Sequence, residues 1–400
     1  MLYTKSSFQF EDGGSEGTPP SGSWELYFDS AGGHIKSYEG VVSDLGGSGG
    51  GAGLTGFQGL YQQLGREGVG GNLGKSILQP FSSAFSDTSI HIKPLGNGGF
   101  SIGETGLGIT EYLGSYSVDL QIPTGSHGYA GSGNALGDFS AVVGGSGNHA
   151  AANYSIVGGG TLNSIDETVY DRSHSVYSFI GAGIQNHIKD SKISAIIGGY
   201  GNQILGENTP VSGNYVIGNG NTMQDYSNTI MLGHNCSVGS DYSTAIGRNA
   251  IASRHGEIAF GAGKFSLNGD AKTSILVSRN STTDATQTDL YLDGSFRVID
   301  IYANSAFYFE TDIVAKQDQA GGGDSAAYKI QGLIKNHSGT TSFVGSPTVT
   351  TIAEDDPTWS VTATAAGIEG NGTLQLKVTG AAATNIRWVA TTKLTEVRYA

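Results

Sequence analysis

Residues 193–263 read ISAIIGGYGNQILGENTPVSGNYVIGNGNTMQDYSNTIMLGHNCSVGSDYSTAIGRNAIASRHGEIAFGAG. Within this stretch a pair of apolar residues precedes a glycine again and again: Ile196–Ile197 before Gly198, Val216–Ile217 before Gly218, Met231–Leu232 before Gly233, Ala245–Ile246 before Gly247, and Ala259–Phe260 before Gly261. Earlier copies extend the pattern upstream, with Val142–Val143 before Gly144, Ile156–Val157 before Gly158 and Phe179–Ile180 before Gly181. Aligned on these eight glycines, the copies are spaced 14, 23, 17, 20, 15, 14 and 14 residues. A base period of 14 with loop-like insertions is the signature of stacked repeats.

The columns carry the physics. Neighbouring side chains on a strand point to opposite faces, so a pair that is apolar at both positions makes each short strand apolar on both sides. One column fills the inside of a narrow coil. The other forms an outward stripe large enough to drive association of identical chains, for which closed cyclic symmetry is the expected arrangement. The glycine supplies the corner. Asn148, Asn163, Asn186, Asn202, Asn221, Asn235 and Asn249 follow two to five residues later and suit turns and side-chain ladders.

The apolar-pair, Gly and Asn columns over residues 131–265 resemble the head repeats of trimeric autotransporter adhesins, the YadA-like parallel β-roll. Related repeats occur in phage fibre proteins. The resemblance implies a homotrimeric left-handed β-roll used for adhesion. The chain shows no signal-peptide pattern, no heptad stalk and no terminal membrane anchor, and this favours a phage virion protein over a bacterial adhesin.

The rest of the chain reads as all-β. Residues 1–45 carry two strand-like runs, WELYFDS and HIKSYEG, around Ala31, Gly32 and Gly33, and are expected to form a hairpin module that attaches to the virion. Residues 46–75 place glycine in one phase of three, compatible with a flexible linker or with three extended chains around one axis. Residues 76–130 form a β connector and 266–295 a neck, and the seven strand-like runs of 296–400 suggest a β-sandwich tip. The expected fold is therefore a homotrimeric parallel β-solenoid with repeats of about 14 residues and a C-terminal β-sandwich.

Composition excludes several functions. The 400 residues include 65 Gly and only 14% charged residues, with a formal net charge of −14. Nucleic acid and anionic membranes are poor partners for such a chain. Cys236 is the only cysteine, so no intrachain disulfide forms. The nine histidines show no metal-ligand spacing, and GGSGN and GGYGN carry Asn where calcium-binding repeats need Asp, so no metal and no cofactor are expected.

Glycan-cleaving spikes need paired carboxylates. Asp166, Glu167, Asp171, Asp190 and Glu207 are available, but no pair recurs on adjacent coils, and the expectation is a chain with no enzymatic activity and no catalytic residues. Asp138, Asp225 and Asp241 share a place ahead of an aromatic residue, filled elsewhere by Ser or Asn153, and read as turn formers. His149 and His187 read as surface corner residues. Candidate receptor contacts are Tyr170, Arg172 and His174 in the largest insertion, Glu207 in the next, and Trp359 in the tip. The expected function is a phage fibre or spike binding a host-surface glycan or protein. Its partners are its own copies and, through the N-terminus, other virion proteins. The alternatives are a bacterial trimeric adhesin and a glycan-depolymerising tailspike.

Overall fold

A computed structural model describes residues 24–29, 32–37, 42–44, 100–101, 113–120, 135–167, 174–206, 210–318, 323–368 and 371–399. The chain divides into two units, Met1–Gly98 and Gly99–Ala400. In the first, strand Trp24–Asp29 pairs antiparallel with Gly32–Ser37, which pairs with Val42–Asp44. The Gly-rich segment 46–75 lies outside the described residues, as do Tyr170, Arg172 and Glu207.

In the second unit, the described residues between 100 and 262 build a parallel β-solenoid. One sheet stacks short strands from Phe100–Ser101 to Ile258–Ala262, all parallel. A second sheet stacks seven strands, from His149–Ala150 to Ile251–Ala252. Each of the seven coils that begin with the strands from Ala141–Val142 to Thr244–Arg248 contributes one strand to each sheet.

Register corrects the sequence alignment. Val142, Val157, Ile180, Ile196, Val216, Met231, Ala245 and Ala259 form the buried inner column, spaced 15, 23, 16, 20, 15, 14 and 14 residues. Val143, Ile156, Phe179, Ile197, Ile217, Leu232 and Phe260 are exposed. The inner and outer positions therefore exchange in the second and third copies, where Val157 and Ile180 point in. The glycines shift too. Gly145, Gly160, Gly183, Gly199, Gly218, Gly233 and Gly247 all have positive φ, and a Cβ on any of them would overlap the carbonyl oxygen of the glycine on the next coil. A Cβ on the expected Gly158 or Gly181 would also overlap a carbonyl oxygen of the next coil, whereas Gly144 faces open space and Gly198 has only ordinary contacts. The reason is a β-bulge between Ile196 and Gly198, which gives that coil one residue more between inner column and corner than the next.

Three residues after each of the first five of these positive-φ glycines comes a buried Asn. In the ladder 148–163–186–202–221, each Oδ1 accepts from the backbone N–H of the next Asn at 3.0–3.2 Å and from its Nδ2 at 2.9–3.1 Å. Asn235 and Asn249 do not belong to it; they occupy the preceding left-handed corner, at φ 52° and 59°. Cys236 takes the sixth rung, its N–H bonded to Asn221 Oδ1 at 2.9 Å. Asp138 and Asp241 sit in turns, but their carboxylates link coils, accepting from Ser115 and Ser227 N–H of the preceding coil at 2.8 Å. Ser227, not Asp225, completes that column; Asp225 sits at φ 61°.

The parallel sheet then changes sense without a break. Ile258–Ala262 pairs antiparallel with Ala271–Thr282, which continues through Ile386–Arg398 and Ser305–Gln317 to Ser325–His337. The reversal rests on Asp270, whose carboxylate accepts from Phe265, Ser266 and Leu267 N–H at 2.7–3.0 Å. A smaller sheet of Thr288–Asp289, Ile299–Ile301, Ser360–Ile368 and Asn371–Thr379 shares one buried cluster with the large one, around Phe307, Phe309, Trp388, Leu374 and Leu376.

Candidate functional site

The site lies where the last coil meets the C-terminal sheets. A polar column runs up the solenoid beside the inner apolar one: Ser140, Ser155, Ser178, Ser194, Asn214, Thr229 and Ser243, all buried. The next position is Glu257. A carboxylate there demands cations. Lys272 Nζ donates to Glu257 Oε1 at 2.7 Å, and Arg254 Nη1 donates to the same oxygen at 3.1 Å. Arg254 also forks onto Glu396, Nη1 to Oε1 at 2.8 Å and Nη2 to Oε2 at 3.2 Å. Burial pushes the Glu257 carboxyl upward, but Lys272 and Arg254 outweigh it and hold it at about 2. These carboxylates are consumed by ion pairing.

Arg254 Nε donates to the backbone carbonyl of Asp300 at 2.8 Å, and its guanidinium lies over the rings of Tyr302 and Phe307. The last coil is thereby fastened to strand Ile299–Ile301. Above this anchor opens a cleft of about 490 Å³, lined in part by Arg254, His255, Phe296, Arg297, Asp300 and Tyr302. Burial lifts the Asp300 carboxyl above its ordinary range, against the pull of Arg254 and Arg297. The His255 ring meets Tyr242 edge-on at 5.3 Å, and its Nδ1 is buried without a hydrogen-bond partner. Tyr302 Oη bonds Ser253 Oγ at 2.8 Å, and burial raises its hydroxyl above the ordinary range.

Phe296 and Arg297 stand on a stiffened loop. Asp293 Oδ1 accepts from Ser295, Phe296 and Arg297 N–H at 2.9–3.0 Å, and Leu292 N–H closes the loop on Arg297 O at 2.7 Å. The ring of Phe296 is 68% exposed, with the Arg297 guanidinium 5.4 Å from its centroid. Arg297 Nε reaches Asp293 only at 4.0 Å. The cleft thus combines an acid held protonated more readily than usual, an imidazole whose Nδ1 is closed off from solvent, an accessible cation and an aromatic platform.

None of these six residues was a candidate from sequence, and the expected candidates lie elsewhere. Trp359 is 3% exposed, its ring 5.7 Å from that of Trp388, so as a receptor contact it is corrected to a core residue. His174 Nδ1 lies 3.5 Å from Asp190 Oδ1 on the solenoid. His149 and His187 lie in strands of the second sheet, not at corners, and flank Asp166 at 3.6 and 3.0 Å. Among the described residues no group of three or more His, Cys, Asp or Glu is placed to hold a metal ion.

No family model matches the chain, and no curated protein sequence does. Solved structures do. The tailspike protein gp49 of Acinetobacter baumannii bacteriophage Fri1, described as a capsular polysaccharide depolymerase, is 10% identical, with 70% of this chain and 67% of that chain covered at a TM-score of 0.21. The A. baumannii phage AM24 tailspike is 10% identical, covering 71% and 54% at 0.20. The Acinetobacter phage vB_ApiP_P1 tailspike is 12% identical, covering 71% and 62% at 0.15. The chain therefore spans less than two thirds of the latter two. The expectation of a non-enzymatic chain is corrected here, since a protein similar to it is described as a depolymerase.

Proposed function

We propose that the chain is a phage spike of the tailspike kind that binds and cleaves a host-surface glycan in the cleft at the end of the solenoid. The observation that carries this reading is Asp300: a carboxyl lifted by burial, in an open cleft, beside an exposed aromatic ring and an arginine. Enzymes place such carboxyls where a leaving oxygen must be protonated. The rigid coil stack holds the cleft, and Arg254 fixes Asp300 through its backbone.

The spike works as a homotrimer. The outer face of the first sheet carries two adjacent columns, Tyr215, Ile230 and Ile258, interrupted by Thr244, beside Ile217, Leu232, half-buried Ile246 and Phe260. Burying them between copies of the chain supplies the association energy. Multivalent engagement of a repeating polymer then raises avidity.

The reading is tested by spotting the purified full chain on lawns of a panel of encapsulated bacteria. Translucent haloes are expected on at least one strain, and Asp300→Asn produces none. Haloes of equal size with both proteins would remove Asp300 from the reaction.

A further inference from the structure

Along one corner of the solenoid each coil places one residue in the left-handed region, two positions ahead of its strand in the first sheet. The column runs Tyr116, Phe139, Tyr154, Tyr177, Ile193, Gly213, Asn228, Tyr242 and Gly256, with φ between 51° and 72°. Its register is fixed by the backbone: Phe139, Tyr154, Asn228 and Tyr242 N–H donate to Ser115, Asp138, Ser212 and Ser227 O of the coil before at 2.8–3.1 Å. Such a corner suits Gly or Asn, and a bulky side chain there is uncommon. The chain itself closes the corner with either, at Gly213, Asn228 and Gly256. The coils of Tyr116, Phe139, Tyr154 and Tyr177 hold aromatic rings instead. These stack with centroids 5.0, 5.1 and 5.2 Å apart and planes no more than 20° from parallel. Each remains 46–61% exposed, so stacking does not cover them. Exposed Ile193 extends the strip by one coil. Past Gly213 and Asn228 the column reaches exposed Tyr242, whose ring meets that of His255 at 5.3 Å, and His255 lines the cleft. One corner of the solenoid therefore leads from the ring ladder to the cleft.

We infer that this corner is a second glycan-binding site, a track on which an extended polysaccharide lies lengthwise while another part of the same polymer occupies the cleft. This rests on the glycan-cleaving reading above. A pyranose presents flat C–H patches edged by hydroxyls, and a phenol matches it with an apolar body and a polar tip. Three of the four ladder rings are tyrosines. The ladder repeats once per coil, a step of the order of one sugar unit, so successive units meet equivalent rings. No charged residue stands in the column, so the track reads sugar faces and hydroxyls rather than an anionic group. The neighbouring outer column, with Ile217, Leu232 and Phe260, carries no hydroxyl and suits a second copy of the chain better than a sugar. Tyr242 stands four coils above Tyr177, roughly 20 Å at about 4.8 Å per coil. A polymer spans both, whereas a short fragment reaches only one. Holding the polymer on the ladder raises its effective concentration at the cleft without any change in the cleft itself.

The experiment uses the full chain on a panel of purified capsular polysaccharides and on short fragments of the same polymers. Affinity electrophoresis and surface plasmon resonance follow binding, and new reducing ends follow cleavage. Tyr154→Asn together with Tyr177→Asn removes two rings and keeps the corner, as Asn228 does. At about two- to tenfold per ring, the pair is expected to raise the polymer Kd and KM by roughly five- to a hundredfold. Binding and cleavage of the short fragments stay unchanged. Tyr154→Phe with Tyr177→Phe keeps most of the affinity, since Phe139 already stacks in the ladder. Thermal melts and sedimentation velocity confirm that each variant keeps its fold and oligomeric state. Polymer affinity unchanged in the Asn pair would overturn the track and leave cleavage in the cleft standing, as would an equal loss on polymer and fragments. Dissociation of the oligomer by the Asn pair would also overturn it and assign the strip to contacts between copies. No polymer bound or cut by the wild type would overturn both the track and the glycan-cleaving reading.

Discussion

Arg254 and Glu396, separated by 142 residues of sequence, meet at 2.8 Å in a fully buried ion pair. This contact ties the last coil of the solenoid to the last strand of the chain. With Glu257, Lys272 and Ser274 it forms a closed network in which each charge has an opposite neighbour.

Removing one partner strands the others. Glu396→Leu leaves Arg254 buried against Glu257 alone and is expected to lower stability by about 3–5 kcal/mol. Urea unfolding measures it. A loss under 1 kcal/mol would mean that water enters the network.

The same network predicts an acid transition. The folded-state pKa of Glu257, about 2, lies below its ordinary 4.5. A depressed carboxyl contributes stability that is complete above its unfolded pKa and is lost as pH falls through the folded one. Stability should therefore decline between about pH 5 and pH 2. Glu257→Gln should flatten that decline while lowering stability at pH 7. Denaturant midpoints across this range provide the check.

The Asn ladder predicts a loss and a gain. Asn186→Ala takes the acceptor from Asn202 N–H and Nδ2 and a donor from Asn163 Oδ1, and should cost about 2–4 kcal/mol at roughly 1–3 per stranded group. Cys236→Asn adds a rung where the Cys236 thiol now approaches Gly247 O at 3.2 Å. It should stabilise the solenoid by about 0.5–1.5 kcal/mol. Differential scanning calorimetry distinguishes both from zero.

The proposed homotrimer would be vulnerable at defined points of the outer columns. Leu232→Glu, alone or with Ile217→Glu, should shift a trimer to monomers in sedimentation velocity without unfolding it, because both side chains are exposed on a single chain. A trimer that persists in the double variant would place the interface on another face.

The coil stack was legible in the sequence because its columns repeat locally. Recurring apolar pairs revealed short strands with one member of each pair in the core, and glycine revealed corners. The phase was not legible. In GGG at 158–160 and GAG at 181–183, composition does not say which residue takes the positive φ, and the first and last glycine of each triplet both sit against a carbonyl of the next coil. Cys236 hid a rung for a similar reason, since Asn235 beside it looked like the ladder and proved to be its corner. The cleft was less legible still. Arg254, Asp300 and Glu396 come from three distant segments, and no spacing links them. One signal was present: in a chain with 14% charged residues, SRHGE at 253–257 concentrates three ionisable side chains inside a coil whose counterparts carry fewer.

Proton donation by Asp300 during cleavage of a host-surface glycan is measured by size-exclusion chromatography of capsular polysaccharide from a halo-forming strain, incubated with wild type and with Asp300→Asn. Progressive shortening is expected with the wild type, and a rate at least about a hundredfold lower with the variant, in the range lost with a general acid. Shortening at the same rate by both proteins, or an unchanged polymer with the wild type, would contradict it.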